Sequence, residues 1–205
     1  MTRSDRRLFW LSLAVIAALI VSGVQPYDRT TWMLEVAPVL VALPILYFTR
    51  ERFPLTPLLY AVISLHCLVL ILGGAYTYAR VPLGYWLQDL LELTRNPYDK
   101  IGHFMQGFTP ALLARELFVR NGHVSGAKMS AFLAVCVSLA VSAVYELIEW
   151  WAALLLGQGA DEFLGTQGDV WDTQSDMFLA LLGALAALAL LSRLQKRQVV
   201  ALQAR

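Results

Sequence analysis

The chain has 205 residues, of which 58% are hydrophobic and 15% are charged, with a formal net charge of +1. Soluble domains usually carry about 25% charged residues and about 45–50% apolar residues, so this composition excludes an ordinary soluble protein and indicates a membrane protein. The small net charge excludes no class of partner, and the positions of the charges along the chain are more informative than their sum.

Six apolar stretches are long enough to cross a bilayer, whose hydrocarbon core of about 30 Å requires about 20 helical residues. They cover residues 8–24, 31–48, 56–78, 101–119, 129–156 and 175–192. The first follows a basic leader without a clear cleavage site, so we interpret it as a retained helix and not as a signal peptide. The sequence therefore predicts an all-α polytopic membrane bundle of about six transmembrane helices, with residues 1–205 forming a single integral membrane domain.

The connection between the third and fourth stretches contains a second kind of pattern. The segment "VPLGYWLQDLLELT" places apolar and aromatic residues at near-helical spacing. This pattern predicts a short amphipathic helix that lies in the membrane interface.

The basic residues predict the orientation of the helices. With the N-terminus in the cytoplasm, twelve of the sixteen Lys and Arg residues fall on the cytoplasmic side and four on the outer side. Cytoplasmic loops typically show such an excess, so we predict that both termini are cytoplasmic. The acidic residues show the opposite bias, since twelve of fifteen lie outside or in the outer half of a span. Acidic residues contribute little to topology, so this bias needs another cause.

Three groups of polar and ionisable residues lie at the outer side, in or beside the predicted spans. In chain order they are Asp99, Lys100 and His103; Tyr145, Glu146 and Glu149; and Asp169, Asp172 and Asp176. Asp99 and His103 are four residues apart and share one helix face, and the members of the second group form a polar stripe on the fifth span. The third group shares one face if the last helix begins near Gly168.

These groups come from three helices at one membrane level, which suggests a shared cation. An isolated charge at the membrane centre costs about 2.5–3.5 kcal/mol on insertion scales, so clustered acids require protons, cationic neighbours or a metal. Imidazole and carboxylate are ligands of divalent metals, and helical bundles build such sites from facing helices. We predict that a divalent metal (zinc, magnesium, manganese or iron) is held by His103, Glu149, Asp172 and Asp176.

The same residues suggest catalytic roles. Glu146, flanked by apolar residues, is the predicted general base. Lys100 is predicted to contact a phosphate as a point charge. Alternatively, Arg95 would contact it through two parallel N–H donors of its guanidinium. Further candidates for the site are Asp99, Asp169 and Tyr145.

Simpler explanations remain open for several of these residues. Asp169 and Asp99 could each cap a helix N-terminus, where Asp is favoured. Glu146 and Glu149 could be a solvated pair at a helix end. Glu35, in the outer part of the second span, could join the site. His66 lies in mid-span, away from the level of the site. Because buried polar side chains are generally hydrogen-bonded, we expect it to be a hydrogen-bonded core histidine.

Three segments resemble the YjdF-like family of bacterial inner-membrane proteins: "YDKIGHFMQGF", "YELIEWWAAL" and "GTQGDVWDTQSDMFLALLGA". The resemblance covers nearly the whole chain. It implies a multi-pass protein of the bacterial inner (plasma) membrane, with no established biochemical activity. The motifs are also distantly similar to VanZ-like proteins, which are linked to glycopeptide resistance, and this similarity carries no catalytic assignment. The matching positions would be Asp99, Lys100, His103, Glu146, Asp169, Asp172 and Asp176.

Three classes of function fit the outer polar cluster, and the sequence leaves open whether the protein is an enzyme at all. A metal-dependent membrane enzyme would perform hydrolysis or phosphoryl transfer on a lipid-linked or envelope substrate. A proton-coupled transporter would require ionisable residues across the whole bilayer, and the cytoplasmic halves of the spans have almost none. A non-catalytic protein could bind an envelope ligand or act as a scaffold.

Several motifs and partners are not indicated by the sequence. There is no Gly-rich phosphate loop, Walker-type lysine, heme attachment motif or zinc-peptidase motif. The basic C-terminal segment is more typical of contact with membrane lipids than of a nucleic-acid site, so no nucleic acid is expected. Cys67 and Cys136 fall inside apolar stretches, which predicts buried free thiols. The oligomeric state is not determined, because the small residues around Gly183 fit internal packing as well as a dimer face.

Overall fold

The computed structural model describes residues 3–156 and 166–204, and these residues form seven helices. In chain order they are α1 (Arg3–Val24), α2 (Arg29–Thr49), α3 (Pro57–Tyr76), α4 (Pro82–Leu90), α5 (Tyr98–Arg120), α6 (Ala127–Leu156) and α7 (Asp172–Gln203). No strand occurs in the described ranges, so the predicted all-α class is confirmed. The loop acids Asp161 and Glu162 lie outside the described residues.

Five helices are long and apolar enough to cross a membrane. The qualifying segments are Arg6–Val24, Arg29–Thr49, Pro57–Tyr76, Ala127–Leu155 and Asp172–Gln203. The remaining predicted span corresponds to α5, whose 23 residues give a length of about 35 Å. This helix packs against α3, α6 and α7, so its many polar side chains face other helices and not lipid. Its crossing of the membrane stays a prediction.

Contacts at the helix ends fit an alternating, up-and-down arrangement. The Tyr27 amide, between α1 and α2, donates to the Ala75 carbonyl near the end of α3 at 3.0 Å. The Thr56 hydroxyl, just before α3, donates to Glu116 near the end of α5 at 2.7 Å. Following the predicted orientation, we call the side of Tyr27 and Ala75 the outer end of the bundle, and the side of Thr56 and Glu116 the inner end.

Helices α5 and α7 approach each other at two glycines. A methyl group on Gly107 would overlap the carbonyl of Ala180, and a methyl group on Gly183 would overlap the carbonyl of Phe104. Small residues at such crossings allow membrane helices to pack backbone against backbone. The sequence left two explanations of Gly183 open, and the structure shows internal packing against α5.

A buried polar network connects α3, α5 and α7 at the inner end. Glu116 is fully buried and accepts hydrogen bonds from the amide and hydroxyl of Thr56 at 2.9 and 2.7 Å. It pairs with Arg120 at 3.1 Å, and Gln195 donates to it at 3.4 Å. Both carboxylate oxygens are therefore satisfied, which is the condition under which a buried charge is tolerated. The network explains this acid without requiring a ligand.

The start of α7 differs from the prediction. The helix begins at Asp172 and not near Gly168, so Asp169 lies outside it. The N-cap residue is Trp171, and Asp169 accepts a hydrogen bond from the Trp171 amide at 2.9 Å within the preceding turn. Asp169 is therefore neither the helix cap nor part of the face that carries Asp172.

The two cysteines are both free, but they differ in burial. Cys67 is buried in the core, as predicted, whereas Cys136 is exposed on α6. The prediction of a buried Cys136 is wrong, because an apolar membrane helix turns part of its surface toward lipid and hydropathy alone does not distinguish the two faces.

Candidate functional site

Three potential metal ligands from two helices converge near the outer end of the bundle. Helix α5 supplies Asp99 and His103, and α7 supplies Asp176. One ligand atom of each residue lies within 4.8 Å of the other two. His103 Nε2 is 3.3 Å from Asp99 Oδ1 and 3.7 Å from Asp176 Oδ2. We call these three residues the outer triad.

Helix geometry places Asp99 beside His103. Residues four apart stack on one face of a helix, as the sequence predicted for this pair. Helix α5 begins at Tyr98, and its N-cap residue is Pro97, which forms no side-chain cap. Asp99 therefore lies in the first turn instead of capping the helix, and its carboxylate contacts His103.

The crossing of α5 and α7 places Asp176 at the same level. Asp176 precedes Ala180 by one turn of α7, and His103 precedes Gly107 by one turn of α5. Since Gly107 meets Ala180 at the crossing, the residues one turn toward the outer end also face each other. The glycine contact thus fixes the distance between His103 and Asp176.

Gln106 fixes the orientation of the His103 ring. His103 Nδ1 lies 3.0 Å from Gln106 Oε1, and this contact is a hydrogen bond in the tautomer whose proton is on Nδ1, because a carbonyl oxygen only accepts. In the neutral ring, the unprotonated Nε2 then faces the two aspartates. A lone pair facing two carboxylates is favourable only if a cation or a proton lies between them. Metal-binding histidines are typically oriented by such a second hydrogen bond.

Several buried carboxylate oxygens at the site have no hydrogen-bond partner among the described residues. They are Asp99 Oδ2, Asp176 Oδ1 and Glu146 Oε1. The Asp176 side chain is 2% exposed and that of Glu146 is 7% exposed. An unsatisfied buried polar group costs about 1–3 kcal/mol, and more if it is charged, so these oxygens require a proton or a cation.

Glu146 approaches the opposite edge of the imidazole from the two aspartates. Its Oε1 is 3.7 Å from His103 Nδ1, whereas Asp99 and Asp176 lie near Nε2. Glu146 is therefore next to the outer triad without belonging to it.

A cavity of about 220 Å³ adjoins the α5 side of the outer triad, where Asp99 and His103 form part of its wall. Its polar lining residues are Glu35, His66, Tyr78, Asp99, His103, Gln106, Tyr145 and Glu149. Apolar residues such as Pro38 and Leu70 line the rest. The cavity is comparable in volume to several water molecules and is bordered by both charged and apolar surface.

Two residues of the cavity wall change the interpretation of the sequence. Glu35 is 4% exposed and accepts a hydrogen bond from the Tyr145 hydroxyl at 3.3 Å, so it belongs to the cavity. His66 also lines the cavity, and its Nε2 is buried without a hydrogen-bond partner among the described residues. The expectation that His66 is a hydrogen-bonded core residue away from the site is therefore wrong.

Arg95 connects the segments that precede α5 and α7. Its Nη2 lies 2.7 Å from Asp172 Oδ1 and 3.1 Å from Asp169 Oδ2, and its Nη1 donates to the Thr166 carbonyl at 2.6 Å. Burial lowers the pKa of the Arg95 guanidinium, but Asp172 and Asp169 outweigh this effect, so its pKa lies above the usual value. We call these residues the Arg95 clasp.

Asn96 and Gln167 reinforce the clasp. The Asn96 amide donates to Gln167 Oε1 at 3.2 Å, and Gln167 Nε2 donates to the Asn96 carbonyl at 3.0 Å. Gln167 has a φ of +47°, which is uncommon for a residue other than glycine. The reciprocal hydrogen bonds explain why the chain adopts this conformation next to the site.

The remaining predicted residues divide between the cavity and the clasp. Glu149 lines the cavity. Asp172, a predicted metal ligand, is instead paired with Arg95, which was predicted to face a phosphate. Lys100 forms no hydrogen bond or ion pair with another described residue, so its role as a phosphate contact stays a prediction.

Comparison with known sequences agrees with a membrane bundle of this kind. The sequence model of the DUF2238 family, described as "Predicted membrane protein", matches residues 7–197. The chain belongs to the DUF2238 family. The inner membrane protein YjdF of Escherichia coli K12, a relative, is 58% identical over 188 residues, which cover 92% of this chain and 90% of that protein. No solved structure matches the chain.

Membership of the DUF2238 family confirms the resemblance that the sequence motifs indicated. With five apolar helices and an inner-membrane relative, this DUF2238 protein is a multi-pass protein of the bacterial inner membrane. The family description names no activity, substrate or cofactor. The more distant similarity to VanZ-like proteins stays a prediction.

Sequence reasoning missed two residues of the site. Gln106 is a polar residue three positions after His103 in the predicted fourth span, and that spacing could have indicated the hydrogen bond. Tyr78 lines the cavity from the end of α3, and its ring packs against Gly102 of α5. Nothing in the local sequence around Tyr78 indicates this long-range contact.

Proposed function

We propose that this protein is a metal-dependent membrane enzyme whose outer triad binds a divalent cation. The observation that carries the proposal is the convergence of Asp99, His103 and Asp176 around one point, with the His103 ring oriented by Gln106. The unpartnered oxygens of Asp99 and Asp176 support it, because a cation would satisfy them.

The spacing of the ligand atoms supports a small cation. Ligands about 2.0 Å from a tetrahedral zinc ion lie about 3.3 Å from one another. The distances of 3.3 and 3.7 Å from His103 Nε2 to Asp99 and Asp176 are close to that value. Three protein ligands with an open fourth position are typical of catalytic rather than structural sites. We therefore propose zinc, or another divalent metal, with a water molecule as the additional ligand.

The neighbouring residues support a hydrolytic or phosphoryl-transfer reaction. A divalent cation lowers the pKa of a bound water and polarises a substrate oxygen. Glu146, beside the triad with an unpartnered oxygen, is the proposed general base. Lys100 is the proposed contact for a substrate phosphate, because Arg95 already directs its donors to the clasp. Glu149 and the apolar part of the cavity would contact the rest of the substrate.

The position of the site supports a substrate from the envelope. The triad lies near the outer end of the bundle, and the cavity is bordered by apolar residues, so a lipid-linked or envelope substrate would reach it from the membrane. The reaction proposed is cleavage or transfer of a phosphate group attached to such a lipid.

Purified full-length protein tests the proposal when it is loaded with Zn²⁺ or Mn²⁺ and incubated with a bacterial lipid extract. We expect metal-dependent release of inorganic phosphate or of a headgroup, detected by mass spectrometry. His103→Gln should abolish both metal binding and release, whereas His123→Gln, at an exposed loop histidine, should change neither.

Glu146→Gln distinguishes an enzyme from a protein that only binds its ligand. An enzyme with this general base should retain metal binding and lose at least about a hundredfold in turnover. If lipid products form equally with all variants, or if no divalent metal binds, the proposed function is wrong.

A further inference from the structure

A second cavity, of about 250 Å³, opens at the inner end of the bundle. It lies between the C-terminal parts of α5 and α7 and the start of α6, and it shares no lining residue with the outer cavity. Its charged lining residues are Arg115, Glu116 and Lys196. The apolar part of its wall includes Val119 and Val199.

The two basic residues of this inner cavity have no described carboxylate partner. Arg115 Nη1 donates to Gln195 Oε1 at 2.7 Å, which is a neutral acceptor, and neither Arg115 nor Lys196 forms an ion pair with a described acid. Glu116 does not neutralise them, because Thr56 and Arg120 already occupy its oxygens. Two positive charges therefore line the cavity, and no acid in the described part of the chain compensates them.

The predicted span boundaries place the cavity close to the depth of the lipid headgroups. The last apolar stretch ends at residue 192, so Lys196 is about one turn beyond the predicted hydrocarbon region. Arg115 is about one turn inside the predicted inner boundary of α5, and long basic side chains at helix ends extend toward the headgroups. In the predicted orientation this is the cytoplasmic leaflet.

We propose that the inner cavity binds the phosphate group of an anionic phospholipid of the cytoplasmic leaflet. A guanidinium fork and an ammonium point charge are the side chains that bind phosphate most effectively. Helix α6 begins at Ala127 in the cavity wall, so its first amides add favourable partial charge. Basic pockets between membrane helices on the cytoplasmic side hold anionic headgroups in this way.

A lipid in this cavity would stabilise the crossing that positions the outer triad. Arg115 and Lys196 belong to α5 and α7, the same two helices that supply the triad at their other ends. A phosphate between them would hold the inner ends of these helices together. The inference is independent of the chemistry proposed for the outer end.

Thermal unfolding of the full chain in detergent micelles tests this site. We expect phosphatidylglycerol, and not zwitterionic phosphatidylcholine, to raise the unfolding temperature in a saturable titration at physiological salt. The variant Arg115→Gln/Lys196→Gln should weaken the apparent affinity for phosphatidylglycerol about thirtyfold, because each basic group contributes about fivefold. Lys196→Glu alone, at an exposed position on the cavity rim, should also weaken it and is not expected to disturb folding.

A matched control removes two basic residues outside the cavity. Arg193→Gln/Arg197→Gln changes exposed positions of α7 by the same total charge, and salt screens such exposed charges. This control should keep its affinity within about threefold. Equal weakening in both double variants, or none in either, would overturn the site.

Inorganic phosphate without lipid distinguishes the two sources of the phosphate group. Little protection by inorganic phosphate, together with saturable protection by phosphatidylglycerol, supports a lipid ligand. If inorganic phosphate protects the wild type as well as the lipid does, the assignment to a phospholipid is overturned.

Discussion

Gln106 determines which nitrogen of His103 faces the two aspartates. Its side-chain carbonyl oxygen lies 3.0 Å from Nδ1 and accepts a hydrogen bond from that nitrogen in the Nδ1-protonated tautomer, while Nε2 faces Asp99 and Asp176. Second hydrogen bonds of this kind orient metal-binding histidines and increase their basicity. The proposed metal site should therefore depend on a residue that does not touch the ion.

Replacement of Gln106 tests this dependence. Gln106→Leu should weaken Zn²⁺ binding about 10–100-fold without abolishing it, because the ring loses its fixed orientation. Gln106→Glu keeps an acceptor at the same place and should bind nearly as well as the wild type. Isothermal titration calorimetry in detergent measures both, and unchanged affinity in the leucine variant would contradict the assigned role.

The ion pair between Arg95 and Asp172 is intermediate between a surface pair and a buried one. The two side chains are 15% and 8% exposed. Breaking a fully buried pair costs about 3–5 kcal/mol, and an exposed pair contributes about 0–1 kcal/mol. The clasp should lie between these limits.

A double-mutant cycle on the clasp gives its coupling energy. Arg95→Gln should lower the free energy of unfolding by about 2 kcal/mol, because Asp172 is left partly buried without its partner. The double variant with Asp172→Asn should lose less than the sum of the two single changes. Arg50→Gln, which removes the exposed pair with Glu51, is the control and should cost less than about 0.5 kcal/mol. Additive losses in the cycle would show that the clasp is not a coupled pair.

At the scale of helices, the outer triad depends on the close crossing of α5 and α7. Gly107 and Gly183 leave no space for a methyl group between the two backbones. An added methyl forces the helices apart, and such overpacking typically costs about 1–3 kcal/mol. The same displacement would move Asp176 away from His103.

Alanine at either glycine should therefore reduce stability and metal affinity together. We expect Gly107→Ala and Gly183→Ala each to lower the free energy of unfolding by about 1–3 kcal/mol and to weaken Zn²⁺ binding. Ala189→Val, at an exposed position of α7, adds bulk without affecting the crossing and should change both quantities little. Unfolding titrations and calorimetry on the same preparations provide the comparison, and loss of stability with full metal affinity would separate the crossing from the site.

Five of the six predicted spans correspond to helices that are long and apolar enough to cross a membrane, because hydropathy reports directly on contact with lipid. The remaining predicted span, residues 101–119, lies in helix α5, which carries more polar residues and is not among the helices apolar enough to cross a membrane by hydropathy. The aspartate spacing is compatible with a start of α7 near Gly168, about one turn before its observed start at Asp172. Aspartates at helical spacing can also lie in a turn that precedes a helix, so their spacing did not locate the helix start. The ion pair between Asp172 and Arg95 holds the turn that precedes α7. Because the two residues are far apart in the sequence, this contact leaves no local sequence pattern.

At the scale of the whole molecule, polar groups lie at both ends of the bundle for different reasons. The outer triad was foreseeable in part, because the chain order places His103 and Asp176 at the same membrane level. Glu35 and His66 enter the cavity through helix rotations that spacing alone does not determine. At the inner end, Glu116 is fully satisfied by Thr56 and Arg120 and requires no ion.

The distinction between the ends depends on the orientation of the bundle. Cysteine labelling of intact cells with a membrane-impermeant maleimide tests it. Gln25→Cys, in the α1–α2 connection, should react in intact cells. His123→Cys, in the α5–α6 connection, should react only after permeabilisation, because the basic residues predict that this connection is cytoplasmic. The reverse pattern would place the triad at the cytoplasmic side.

Anomalous X-ray diffraction from crystals of the full chain grown with Zn²⁺ tests most directly whether the outer triad holds a divalent cation. We expect a zinc peak about 2.0–2.2 Å from His103 Nε2 and from one carboxylate oxygen each of Asp99 and Asp176. The peak should disappear in Asp176→Asn and remain in Asp89→Asn, a change at an exposed acid of α4. A map with no peak at the triad, and with His103 Nε2 within hydrogen-bond distance of Asp99 or Asp176, would contradict metal binding there.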